Sequence, residues 1–170
     1  MATKVEIRHT FNCDADTFWE HVFGSSEFNT TLYREGLEFP EYEIIEDRKD
    51  DAGKLHRKVR TTPKSDAPAT VRKVIGDSIS YVEEGIWDPS VGRYRFSITT
   101  SKLADKVRIG GELWVEPKGE GKIERRCDMD VEVKIFGVGR VVEAFVAKSL
   151  RDSYGQAAVF TNRWIADKGL

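Results

Sequence analysis

The sequence predicts a single α+β domain, in which a curved antiparallel sheet of seven strands surrounds one long C-terminal helix. Apolar and polar residues alternate with a period of two in seven segments, and turn signals join the last six of these into hairpins. From Val138 onward the hydrophobic period changes to 3.6, as in a helix with one buried face. A chain of 170 residues suits one domain, so we assign residues 1–170 to it.

The first elements are a strand and one or two short helices. The segment KVEIRHTF alternates Val5, Ile7, His9 and Phe11 with polar residues, which is typical of a half-buried strand. Capping residues at 12–16 precede DTFWEHVF, a predicted helix that ends at Gly24. A second short helix is predicted over residues 27–34.

Six further strands follow at residues 42–48, 54–62, 78–87, 93–101, 106–117 and 123–136. The turn sequences KDDAG, DPSVG and KGEGK separate three pairs of them. One small basic helix, ATVRKVI, interrupts the hairpins between Pro68 and Gly76.

The C-terminal helix is predicted to run for roughly 30 residues, or about 45 Å. Gly155 in its interior costs about 1 kcal/mol relative to Ala, which indicates a bend or a close backbone approach. One helix can cover the apolar face of an antiparallel sheet, but it cannot fill the trough of a strongly curved one. The architecture therefore predicts an internal cavity.

Composition and charge exclude several classes of function. A net charge of −2 gives no overall attraction for nucleic acid. Cys13 and Cys127 match no metal-ligand or redox spacing, so we predict no metal site and no cofactor. The N-terminal segment has no secretory pattern, and no stretch approaches the roughly 20 apolar residues of a membrane span. We therefore expect a cytoplasmic protein.

Several short segments carry a family resemblance: HTF at 9–11, FWE at 18–20, DAGKLH at 51–56, TVRKVIG at 70–76 and YVEEGIWDP at 81–89. Together with the order of elements, they resemble the START-like (SRPBCC, helix-grip) superfamily. The chain is most similar to PRELI/MSF1-type lipid-transfer domains and to bacterial START-like families of unassigned function. The resemblance implies binding of a phospholipid or another hydrophobic small molecule in the cavity, with intermembrane transfer as an extension.

The resemblance also implies a role for the small basic helix. In the PRELI type this segment lies near the pocket mouth and helps to meet membranes. Val71, Val74 and Ile75 would then enter a bilayer transiently, while Arg72 and Lys73 meet anionic headgroups. The alternative is that the three apolar residues close one end of the core.

Polar residues on faces assigned to the core are candidates for ligand binding. Arg57 and Arg125 share strand faces with apolar residues, where an unpaired charge is costly. They either pair with a carboxylate such as Glu83 or bind an anionic group. Ser149, Ser153 and Tyr154 lie on the apolar stripe of the predicted C-terminal helix. Their hydroxyls either line a partly hydrated cavity or bond to carbonyls of their own helix. Tyr81 and His9 are the remaining candidates for ligand binding.

The family pattern adds two lysines. It implies that basic residues from the strand at 54–62 and from the last helix hold the headgroup, with Lys58 and Lys148 as the nearest matches. Strand alternation puts Lys58 on the face opposite Leu55. Arg57 is therefore favoured as the residue that binds the headgroup if this strand is regular, and Lys58 is favoured if a bulge shifts the strand.

A non-enzymatic binding protein is our preferred hypothesis, and two other classes stay open. One is an enzyme of the cyclase/dehydratase kind known on the same fold, with His9, Tyr81 or Tyr154 as acid or base. The other is a cofactor-free protein-interaction module that uses the outer face of the sheet. His9 also fits a hydrogen-bonded core residue.

Overall fold

Seven antiparallel strands and four helices build the protein in the computed structural model, which describes residues 2–170. The elements are β1 (Thr3–Phe11), α1 (Ala15–Thr17) with a π-helical turn (Phe18–Phe23), α2 (Ser26–Thr31) with a second π-helical turn (Leu32–Gly36), β2 (Glu41–Lys49), β3 (Leu55–Thr62), α3 (Ala69–Ile75), β4 (Tyr81–Asp88), β5 (Arg93–Thr100), β6 (Val107–Pro117), β7 (Ile123–Val133) and α4 (Gly139–Lys168). The predicted α+β fold is confirmed.

The strands form one open sheet in the order β1-β7-β6-β5-β4-β3-β2. Strands β2 to β7 follow one another as hairpins, as predicted, while β1 joins the far edge beside β7. The register of β2 against β3 shifts between Ile44 and Glu46, which marks a β-bulge in β2. Strand β3 pairs with β4 without any shift, from Leu55 opposite Trp87 to Thr61 opposite Tyr81.

Helix α4 lies across the concave face of the sheet and packs mainly against β1 and β7. The core between them contains fully buried Val5, Phe11 and Ile123 from the strands and Val142 and Ile165 from the helix. The alternation of each strand explains this arrangement, because every second side chain must face the helix. The sheet and α4 thus place all inward-facing side chains around one central space.

Gly155 does not mark a close backbone approach, one of the two expectations from the sequence. The helix runs unbroken through it, and a Cβ built at Gly155 would meet no atom within 4 Å.

Gly155→Ala should therefore raise the free energy of unfolding by about 1 kcal/mol, since only the conformational entropy of the unfolded chain changes. Urea unfolding measures this. Gly36→Ala is the contrast, because its Cβ would lie 2.8 Å from the Phe160 ring and should destabilise; equal effects of the two would contradict this account.

Candidate functional site

A cavity of about 250 Å³ lies between the concave face of the sheet and α4. Most of its wall is apolar, with Phe11, Phe96 and Met129 from the strands and Val146 and Leu150 from α4. Lys64 and Ser65 also contribute to the wall although they are exposed, so the cavity opens beside the loop between β3 and α3. The predicted internal space is present.

The five tyrosines of the chain gather at this cavity. Tyr33, Tyr81, Tyr94 and Tyr154 line it, and Tyr42 stacks on Tyr33 with ring centroids 4.4 Å apart. Burial raises the pKa of each of these phenols, that of Tyr42 to about 12. All five therefore keep their protons at neutral pH and present hydroxyl groups, which both donate and accept hydrogen bonds.

Glu83 on β4 forms the acidic part of the wall. Tyr94 Oη donates a hydrogen bond to Glu83 Oε2 at 2.8 Å. Gly85 makes this contact possible, because a Cβ there would lie 2.5 Å from the Tyr94 ring. Burial raises the pKa of Glu83, although the bond from Tyr94 and the charge of Arg57 oppose the shift. The carboxyl therefore holds its proton to a higher pH than an exposed glutamate does.

Arg57 on β3 points inward, as the regular alternation of that strand predicts. It is 7% exposed and lines the cavity. Its Nη2 donates to the backbone carbonyl of Phe23 at 2.5 Å, and its guanidinium lies 4.2 Å from the centre of the Phe23 ring. Arg57 thus fastens β3 to the π-helical turn after α1 and lies within electrostatic reach of Glu83.

Arg125 on β7 is the second buried cation, also 7% exposed. Its Nη2 donates to His9 Nδ1 at 3.0 Å and points to the Tyr154 carbonyl at 3.5 Å. The guanidinium carbon lies 4.9 Å from the ring centres of both Phe11 and Tyr154, and its buried Nε has no hydrogen-bond partner among residues 2–170. Burial lowers the pKa of Arg125, and burial together with the charge of Arg125 lowers that of His9, whose Nδ1 accepts as part of a neutral ring.

Three further candidates line the cavity and two lie outside it. Ser149 and Ser153 contribute from α4 and Tyr81 from β4, as their positions in the sequence predicted. The lysines implied by the resemblance are not brought to the cavity. Lys58 lies on the outer face, 3.8 Å from Glu84, because β3 has no bulge. Lys148 lies on the exposed side of α4, where it pairs with Asp152 at 2.5 Å.

Helix α3 closes one end of the core. Val71 and Ile75 are buried, and Ile75 also lines the cavity. Val74 is half-buried, and the exposed residues of the helix are Ala69, Thr70, Arg72 and Lys73. This matches the alternative interpretation of the segment, in which its apolar residues plug the core, and in this conformation they do not reach outward to a bilayer.

Sequence reasoning missed three of the tyrosines. Tyr94 alternates with Phe96 and Ile98 in RYRFSI, so its inward direction was available from the pattern. Tyr42 similarly occupies a buried position at the start of β2. Tyr33 lies in a π-helical turn, whose wider period no helical or strand pattern predicts.

Neither a metal centre nor a membrane span emerges from the described part of the chain. Across residues 2–170, His, Cys, Asp and Glu form no group of three or more that could hold a metal ion. The helices in the same range include none that is long and apolar enough to cross a membrane.

Solved structures of other proteins share this architecture and show its fold. The protein TTHA0849 from Thermus thermophilus superposes with a TM-score of 0.68 at 14% identity, covering 99% of this chain and 100% of the other. A START superfamily protein from Mycobacterium smegmatis gives 0.60 at 15% identity over 94% and 95% of the two chains. The ZhuI aromatase/cyclase from Streptomyces sp. R1128 gives 0.63 at 16% identity over 96% of each. The chain therefore has the START-like (SRPBCC) helix-grip fold.

Sequence comparison then gives the family. Residues 6–165 match the family described as "Protein of unknown function (DUF2505)", and the chain belongs to that family. No curated protein matches it.

Proposed function

We propose that the protein binds a small hydrophobic or amphipathic molecule in the cavity beneath α4. The observation that carries this proposal is an apolar space inside the fold whose wall also contains inward-facing charged groups, Arg57, Glu83 and Arg125. Small-molecule sites have this composition, with an apolar lining and a few polar groups that orient the ligand. A solid core would instead bury such charges only as tight pairs.

The volume of the cavity restricts the ligand class. About 250 Å³ is just below the range of about 300–1,000 Å³ found for small-molecule sites. It suits a single short chain or a small ring system, and it is far too small for the two acyl chains of a phospholipid. Of the two expected partners, we therefore favour the hydrophobic small molecule.

Transfer between membranes has less support. Val71 and Ile75 of α3 are buried, and Arg72 and Lys73 are the basic residues that this helix exposes to a surface. Each basic residue contributes about 1 kcal/mol near an anionic bilayer, so two of them would give weak contact. We therefore propose binding without assigning transfer.

An enzyme is the second candidate, and the Glu83–Tyr94 pair favours it. A carboxyl with a raised pKa, 2.8 Å from a phenol at the wall of a cavity, is suited to exchanging protons with a bound molecule. The aromatase/cyclase with the same fold is, as its name states, an enzyme. The interaction-module hypothesis, by contrast, needs a filled interior and has no comparable support.

Native mass spectrometry of the freshly purified protein tests the proposal. We expect a population that carries one small molecule, released on denaturation, because the apolar wall should retain a ligand from the cell. The same protein should bind the neutral fluorophore N-phenyl-1-naphthylamine with saturation at one equivalent. A protein that is bare in the spectrometer and takes up no fluorophore would contradict the proposal. If a compound added to the protein is recovered with a changed mass, that result would favour the hypothesis that the protein is an enzyme.

A further inference from the structure

Arg125 is a buried cation that the protein itself does not neutralise. The ion pairs formed within residues 2–170 include several surface arginines, such as Arg8, Arg60 and the neighbouring Arg126, but not Arg125. Its one close polar partner is the neutral His9 ring, and its hydrogen bonds all leave from Nη2, so the Nε side of the guanidinium is unused. A buried charge left in this state is costly unless something else compensates it.

Arg57, the other buried arginine of the cavity, also forms no ion pair within residues 2–170, but it is better partnered. Its Nη2 donates to the Phe23 carbonyl at 2.5 Å, and its charge opposes the rise in the pKa of Glu83, which accepts the Tyr94 hydroxyl. No carboxyl group of the described residues stands in this relation to Arg125, and the carbonyl that its Nη2 reaches, that of Tyr154, lies 3.5 Å away.

We propose, building on the proposed function, that the ligand carries an anionic oxygen group, a carboxylate or a phosphate ester, which binds Arg125. The planar guanidinium offers two parallel N–H donors, the geometry that oxyanions accept in pairs. Contacts with the Phe11 and Tyr154 rings and the bond to His9 hold the guanidinium in place. The apolar body of the ligand would then occupy the remaining wall.

Four ligands with the same ten-carbon chain test this inference: decanoate, decyl phosphate, decanol and decylamine. Each is titrated against N-phenyl-1-naphthylamine bound to the whole protein at about pH 7, and the displacement gives its affinity. We expect at least one of the two anions to bind about tenfold or more tightly than decanol, because a charged hydrogen bond in a buried site contributes that much. Decylamine should bind weakest. Which anion is preferred identifies the head group as a carboxylate or a phosphate ester.

Two variants locate the anion site. Arg125→Met should lower the affinity of the preferred anion by about tenfold to a hundredfold, and by clearly more than it changes the affinity of decanol. Arg126→Met is the matched control: it is next in sequence, but its side chain lies on the outer face, where it pairs with Glu116 and Glu124, so both ligands should bind as before. Thermal unfolding monitors the fold of each.

The outcomes separate the inference from the proposed function. Equal affinities for the anions and decanol, with the fluorophore still bound, would overturn the anion site and leave the hydrophobic cavity in place. Failure of the fluorophore and of all four ligands to bind would overturn both. The comparison of the four ligands uses the unaltered protein, so it tests the anion site even if the Arg125→Met protein does not fold.

Discussion

A phenylalanine introduced at Ser153 is expected to weaken ligand binding by about tenfold or more while the protein stays folded. Ser153 faces the cavity from the middle of α4, so the new ring would point into a space of about 250 Å³ and occupy much of it. The affinity for N-phenyl-1-naphthylamine should fall by about tenfold or more, since a pocket that has lost its free volume cannot bury the fluorophore. Fluorescence titration measures the affinity and circular dichroism the fold.

Val159→Phe is the matched control for this substitution. Val159 lies on the same helix but is 63% exposed, so the same ring is added on the solvent side and binding should not change. Undiminished binding by a folded Ser153→Phe protein would place the ligand outside the cavity. Unfolding of the variant would show instead that the space cannot accommodate a ring, contrary to the proposed function.

The sheet and α4 were predictable from sequence because their residues follow a local period. In β7 every second residue is buried and all of these except Arg125 are apolar, and the change of period at Val138 separates α4 from the sheet. The errors in the predicted secondary structure lie at the ends of elements. The strand predicted at 123–136 ends at Val133, and Phe136 is fully exposed in the turn that follows. A turn sequence containing apolar residues looks like a continuing strand when no tertiary context is available.

The site was predictable only where strand alternation determines it. Arg57 and Arg125 were placed on the inner face because their strands are regular, and both line the cavity. Their different partners could not be deduced, because Phe23 and His9 come from segments far away in the chain. Lys58 shows the opposite case, in which the family pattern suggested a site residue and the alternation of β3 correctly placed it outside.

A buried carboxylate outside the cavity, Glu143, should control the stability of the protein in acid. It lies in the second turn of α4, where its Oε2 accepts the Val133 backbone amide at 3.0 Å and its Oε1 accepts the Thr3 hydroxyl. One side chain thus ties the start of α4 to the end of β7 and to β1. Glu143→Leu should lower the free energy of unfolding by about 2 kcal/mol at about pH 7, because it leaves the buried Val133 amide without an acceptor.

Glu143→Gln separates the hydrogen bond from the charge. Its amide oxygen can still accept the Val133 amide, so it should destabilise less than Glu143→Leu does. Glu120→Gln, at an exposed position in the β6–β7 turn, should leave stability unchanged at every pH and serves as the control.

The effect of Glu143 should also depend on pH in a direction that its environment fixes. Burial alone would raise the pKa of Glu143, but the bonds from Thr3 and Val133 outweigh burial and bring it below its usual value of 4.5. A lowered folded-state pKa gives stability that is fully present above 4.5 and is lost as the pH falls through the folded-state value. In urea unfolding, the difference in stability between the unaltered protein and Glu143→Leu should therefore narrow over the range in which the pH falls below about 4.5. A gap that stayed constant over that range would mean that the carboxylate charge does not hold α4 to the sheet.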